Sequence, residues 1–178
     1  MTIVHTIGHS TLPADEFYRL LRLHGVQHVI DVRRFPGSRR WPHFNREAME
    51  QWLADVSISY RHEPALGGRR SGRRSGRSES PNTFWESPSF RAFADYMATP
   101  EFSAGLEKLI AEAGDRSMAI MCSEAVPWHC HRRLIADALV ARGIEVRDIL
   151  GAAARPYALN PHARVTADGH LEYPAEAS

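Results

Sequence analysis

At 178 residues the chain has the length of one domain, which buries roughly 70% of the surface its unfolded form exposes. Lys+Arg of 22 against Asp+Glu of 21 leave a formal net charge of +1, so bulk charge selects no polyanionic or polycationic partner. Two cysteines are too few for the disulfide framework of a small secreted domain, no basic segment leads into a long apolar run after Met1, and no apolar run approaches the ~20 residues that span a bilayer. The expectation is a cytoplasmic protein with reduced thiols and no membrane partner.

In chain order, Ile3 to Ile7 is a short β-favouring run ended by Gly8. Pro13 opens a helix carrying Phe17, Leu20, Leu21 and His24, which Gly25 stops. Val26 to Val32 is apolar enough to be a strand buried on both faces. Strand, helix and strand with short links predict a right-handed parallel crossover. A second helix follows over residues 45–56, with Met49, Leu53 and Val56 on one face, and Ile58 to Tyr60 reads as a third strand. Residues 67–81 repeat Arg-Arg-Ser-Gly with no large apolar residue, which predicts a solvated loop.

Helices are expected over 89–97 and 100–113, a fourth strand over Met118 to Met121, and a helix from Pro127 to Arg142 closed by Gly143. Glu145 to Leu150 is a last strand, followed from Gly151 by an irregular tail with a small hairpin around Asp168 and Gly169. The alternation predicts a mostly parallel sheet flanked by helices, a Rossmann-like three-layer α/β fold in one domain.

In such folds ligands collect beyond the carboxyl ends of the strands. Three of the strand ends lead into polar clusters: Gly8-His9-Ser10-Thr11, then Asp31-Val32-Arg33-Arg34 with Ser38, Arg39 and Arg40, then Cys122-Ser123-Glu124 with His129-Cys130-His131-Arg132. Pro127, Cys130, His131, Leu134, Ile135 and Ala138 fall on one helical stripe, which places Cys130 and His131 on the first buried turn, facing Cys122. A helix start there offers free N–H groups and the positive end of a dipole, which favours an anion and a thiolate. Cys122 and Cys130 are equally compatible with small core residues.

Cys122, Glu124, His129, Cys130 and His131 also supply donors for zinc or iron. Their spacing matches no two-plus-two pattern, and adjacent helical residues diverge by about 100°. No glycine-rich dinucleotide fingerprint follows the first strand, no G-x-S-x-G elbow is present, and the position six residues after Cys122 is Trp128 rather than a phosphatase arginine. Arg69, Arg70, Arg73, Arg74 and Arg77 suit sequence-independent contact with nucleic-acid phosphates, although no aromatic residue is interleaved to stack on bases.

These residues carry a resemblance. Thr6-Ile7-Gly8-His9-Ser10, Asp31-Val32-Arg33 with Pro36 and Ser38-Arg39, Leu66-Gly67-Gly68, Met121-Cys122-Ser123-Glu124 and Cys130-His131-Arg132 together resemble the bacterial and archaeal domain of unknown function 488 family over roughly residues 3–150. The resemblance implies an α/β fold and one pocket built from these segments, with Ser10, Gly67 and Gly68 in its wall, and supplies no reaction. The Arg-Ser-Gly repeat looks like a local elaboration, and Asp148 stands near the last strand where relatives are expected to carry a histidine.

The reading that joins these observations is an enzyme for a small anionic, phosphate-bearing or nucleotide-like ligand. Cys122 is its nucleophile or redox-active thiol, Glu124, His9 or His131 move protons, and Asp31 orients Arg33. Arg33, Arg39 and Arg132 hold the anion with the helix start at Pro127, beside Cys130 and His131. The alternatives are a nucleic-acid-binding module using the arginine loop and a metal-binding enzyme or sensor using Cys122 and Cys130.

Overall fold

The strands meet in the order β3-β2-β4-β1-β5-β6 in a computed structural model that describes residues 2–68 and 80–176. The five parallel strands are β1 (Ile3–Gly8), β2 (His28–Asp31), β3 (Ser59–His62), β4 (Met118–Cys122) and β5 (Glu145–Leu150). β2 and β4 are buried at every residue, as strands covered on both faces must be. The sheet is the expected mostly parallel one flanked by helices. Arg69 to Arg77, the basic run proposed for nucleic acid, lies outside the described residues.

Local chemistry sets the helix ends. α1 (Ala14–Leu23) follows Pro13, and Gly25, at φ 68°, turns the chain back toward β2. α2 (Arg46–Asp55) buries Met49 and Leu53, and α3 (Pro88–Tyr96) buries Phe93 and Ala94. α4 (Pro100–Ala113) opens with proline in its first turn and the Thr99 hydroxyl accepting the Phe102 N–H at 3.4 Å.

The period of two along β4 divides the core. Met118, Ile120 and Cys122 pack with α3, α4 and α5 (Arg132–Ala141), whereas Ala119 and Met121 pack on the other face with Phe17, Leu21, Met49 and Leu53 of α1 and α2. β4 separates β1 from β2, so the crossover expected between those two is present but its strands are not neighbours. The helix after β4 covers the opposite face from the helices after β1 and β2. The carboxyl end of β4 therefore opens a crevice between its neighbours.

Two stretches depart from the periodicity reading. The expected helix from Pro127 is a 3-10 turn at Pro127–His129, then an extended Cys130 (φ −128°, ψ 146°), and only then α5. The tail after Gly151, expected to be irregular, adds β6 (Ala153–Pro156) antiparallel to β5. The C-terminal hairpin is present as β7 (Arg164–Val165) and β8 (Leu171–Glu172). The tail is tied to α5 through the buried Asp137, which accepts from Tyr157 Oη at 2.7 Å, the Asn160 N–H at 2.9 Å and Tyr173 Oη at 2.8 Å.

Candidate functional site

The carboxyl ends of β1, β2 and β4 surround a cavity of about 590 Å³. Register makes them converge: Gly8 is paired with Cys122 and Asp31 with Met121 across adjacent strands. Beyond the sheet the chain continues the pairing, with His9 N–H donating to the Cys122 carbonyl at 2.9 Å and Ser10 N–H to that of Ser123 at 3.0 Å. Ser10 sits at φ 48°, a left-handed conformation that a non-glycine residue adopts at a cost.

Gly8 makes this approach feasible. A Cβ there would stand 1.6 Å from the Glu124 carbonyl oxygen, a backbone atom that cannot rotate away. Gly8→Ala is therefore expected to force β1 and the 122–125 turn apart, with a loss of about 1–3 kcal/mol in a denaturant titration. An unchanged midpoint would show that the turn yields freely.

Cys122 and Cys130 are free, buried thiols whose sulfurs lie 2.9 Å apart, Cys130 donating to Cys122. Arg132, at 0% exposure, lies behind them. Its Nη1 donates to Cys122 Sγ at 2.8 Å and to the Glu124 carbonyl at 2.7 Å, and its Nη2 to the Ala125 carbonyl at 3.3 Å, while Nε has no partner. Among the described residues no carboxylate forms an ion pair with this guanidinium; the buried Asp148 feels its charge from further away, and the ionisable group in contact with it is the Cys122 sulfur.

Burial alone pushes the Cys122 thiol up. The Cys130 hydrogen bond, the Arg132 charge and the Glu124 backbone contact outweigh it and bring the thiol down to about 7. Cys130 moves well up, because it gives its proton to that hydrogen bond and is itself buried. His131 holds Cys130 from the other side. Its Nε2 donates to the Val32 and Leu66 carbonyls at 3.0 and 3.1 Å, and Nδ1 lies 3.5 Å from Cys130 Sγ. Gly68 packs against that ring so closely that a Cβ would come within 2.9 Å of Nδ1.

On the β2 side Asp31 is wholly buried and accepts from Arg33 Nε at 2.9 Å, Arg33 Nη2 at 2.7 Å, the Arg33 N–H at 3.0 Å and Tyr60 Oη at 2.5 Å. Arg33 Nη2 also donates to the Phe44 carbonyl at 2.7 Å, which leaves Nη1, 3.3 Å from His9 Nε2, as its least engaged nitrogen. Carbonyl and guanidinium partners fix the His9 tautomer: Nδ1–H donates to the Ser10 carbonyl at 2.9 Å, and Nε2 accepts. Burial brings His9 down to about 4, so the ring is neutral at physiological pH.

Of the residues singled out by sequence, His9, Ser10, Arg33, Gly68, Cys122, Glu124, Cys130 and His131 line the cavity together. Asp31 and Arg132 stand behind its wall, and Gly67 backs onto Arg34, whose Cα a Cβ would meet at 2.6 Å. Arg39 is exposed and contributes nothing to the lining. Arg34, named in the cluster after β2 but given no role there, also lines the cavity, and sequence reasoning missed Phe35 and Trp41 after β2 and Phe90 and Phe93 of α3. Nothing in the pattern places α3 over this rim. Among the described residues no three His, Cys, Asp or Glu side chains form a group that could hold a metal ion, so the geometry adds no support to the metal reading.

No curated protein and no solved structure matches the chain. The model of the family described as Domain of unknown function DUF488 matches residues 13–139, which run from the residue before α1 into α5 and include the cysteine pair, and the chain belongs to that family.

Proposed function

We propose that this cavity is a thiol-dependent active site in which Cys122 acts as the nucleophile on a small, negatively charged ligand. The observation that carries the reading is the contact of the buried Arg132 with Cys122 Sγ at 2.8 Å. A guanidinium sealed from water without a carboxylate in contact is costly, and a neighbouring thiolate relieves that cost. Such a thiolate is half-formed near neutrality, which is where nucleophilic cysteines work.

Cys122 is only 2% exposed, less than the partial access expected of a reactive thiol, so the ligand reaches it at the floor of the cavity rather than at the surface. The anionic character rests on Arg33 and Arg34, the two arginines of the lining, with Arg33 turning Nη1 toward His9 while Asp31 and the Phe44 carbonyl hold its other side-chain nitrogens. Phe35, Trp41, Phe90 and Phe93 supply apolar walls for the body of the ligand. Glu124, exposed on the same rim, is the carboxylate placed to exchange protons with solvent.

Alkylation of the full chain, read by mass spectrometry of the two cysteine peptides, tests this. Cys122 is expected to react at pH 7 while Cys130 stays protected. Iodoacetate should compete better against neutral iodoacetamide than it does at a free thiol, and sulfate or phosphate should slow both reagents. Two cysteines that remain inert until the chain is unfolded would return Cys122 to the core.

A further inference from the structure

We infer that Cys122 and Cys130 form a dithiol couple that reduces small organic disulfides, Cys122 attacking and Cys130 resolving. The inference rests on the reading of Cys122 as the reactive thiol and adds the reaction that it performs. Its basis is geometric. Two free sulfurs lie 2.9 Å apart and line the same cavity, so that about 0.9 Å of closure brings them to the ~2.05 Å of a disulfide.

Backbone conformation creates the approach. Cys130 is the one extended residue between the 3-10 turn at Pro127–His129 and α5, and this break sets its side chain against the end of β4. Packing alone does not call for a cysteine at both positions, a fully buried arginine on one sulfur and a histidine nitrogen 3.5 Å from the other.

The surroundings divide the roles. Arg132 Nη1 contacts Cys122, and the Arg132 N–H reaches Cys130 Sγ only at 3.5 Å. Cys122 is thus the sulfur held as thiolate, and Cys130, which donates its proton to Cys122, is the one held as thiol. Low-pKa attack followed by resolution from a neighbouring thiol is the ordinary division of labour in exchange chemistry. The pair is eight positions apart in the chain, so the disulfide closes a short loop.

The steps balance. The Cys122 thiolate attacks one sulfur of R–S–S–R′, forms a Cys122–S–S–R bond and releases R′S⁻, which takes up the proton that Cys122 gave to solvent. Cys130 sulfur then attacks Cys122 Sγ, the Cys122–S–S–R bond breaks, and the departing RS⁻ takes the Cys130 proton. The organic disulfide is reduced by two electrons to RSH and R′SH, and the two cysteines are oxidised to one disulfide.

Glutathione disulfide is a suitable probe, because its carboxylates suit the arginine-bearing rim. The full chain is incubated with glutathione and glutathione disulfide at varied ratios, quenched in acid, alkylated, and analysed as intact protein and as peptides. The wild type is expected to lose both thiols together and to yield a linked Cys122–Cys130 peptide. Cys130→Ser should lose that linkage and stop with one glutathione on Cys122, and Cys122→Ser should take none. A wild type that stops at the Cys122 mixed disulfide overturns the couple and leaves Cys122 as a nucleophile. A wild type in which neither cysteine reacts with glutathione disulfide or iodoacetamide overturns both readings. The wild-type arms decide the matter even if a serine variant fails to fold.

Discussion

Arg132→Met is expected to slow alkylation of Cys122 at pH 7 by up to roughly five- to eightfold and to speed it at pH 10 by up to a similar factor. After the Cys130 hydrogen bond, the guanidinium is the main influence that holds the thiol at about 7, so without it the thiol moves up toward its ordinary value near 9 while that bond and the Glu124 contact still oppose the rise. A full return would drop the thiolate fraction at pH 7 about fiftyfold, which sets the upper bound of the effect. A more basic thiolate is intrinsically a better nucleophile by about six- to tenfold over two units, which recovers part of the rate at pH 7 and raises it where both forms are ionised.

Stability follows the same titration. The folded thiol is more acidic than the unfolded one, so the thiolate contributes stability that is complete above about 9 and disappears as pH falls through about 7. Arg132→Met should flatten that dependence. A merely structural arginine would change the melting temperature without moving the pH–rate profile, and an unmoved profile would overturn its role as counter-ion.

The second large effect is expected at Asp31. Removing this carboxylate leaves Arg33 buried without its partner and Tyr60 Oη without its acceptor. Breaking a buried pair from one side costs about 3–5 kcal/mol, which for a chain of this size lowers the melting temperature by roughly 6–20 °C. Asp31→Ala should show that fall, and Asp31→Ala with Arg33→Met should recover most of it, because the second change removes the stranded charge. A double variant no more stable than Asp31→Ala would mean that Asp31 acts through Tyr60 and the Arg33 N–H instead.

Much of the scaffold was legible because its elements carry their own punctuation. α4 begins and ends where Pro100 and Ala113 suggest, and β5 spans the expected Glu145–Leu150, since capping and apolar runs are local signals. The convergence of the polar strand ends was legible for the same reason. What was not legible depends on single residues or distant partners. Pro127, Cys130, Leu134, Ile135 and Ala138 are buried as their helical period predicts, yet one extended residue at Cys130 interrupts the helix and delays the start of α5 to Arg132.

Arg132, which lies off that stripe and was expected on the rim as an anion ligand, is instead sealed behind Cys122 in the first turn of α5. β6 was invisible because Ala-Ala-Arg-Pro has no β-branched or aromatic residue, and its pairing is imposed by the free edge of β5. The insertion of β4 between β1 and β2 is set by the whole core. Neighbouring segments in sequence say nothing about it.

That strand order also constrains how the chain acquires its shape during synthesis. β1 pairs only with β4 and β5, and β2 only with β3 and β4. A nascent chain that has reached Ala113 holds β2 and β3 as a potential pair, but its first strand has no partner. At about 5–20 residues per second, roughly 5–20 s separate the emergence of Gly8 from that of Met118. Through that interval Ile3-Val4 and Thr6-Ile7 present a bare apolar ribbon edge, the kind of segment that chaperones shield and that associates with other chains. Arrival of Met118 to Cys122 covers one edge of β1 and the open edge of β2 at once, the other edge of β1 waiting for Glu145–Leu150, and the residue that completes the central strand is the one whose sulfur meets Arg132.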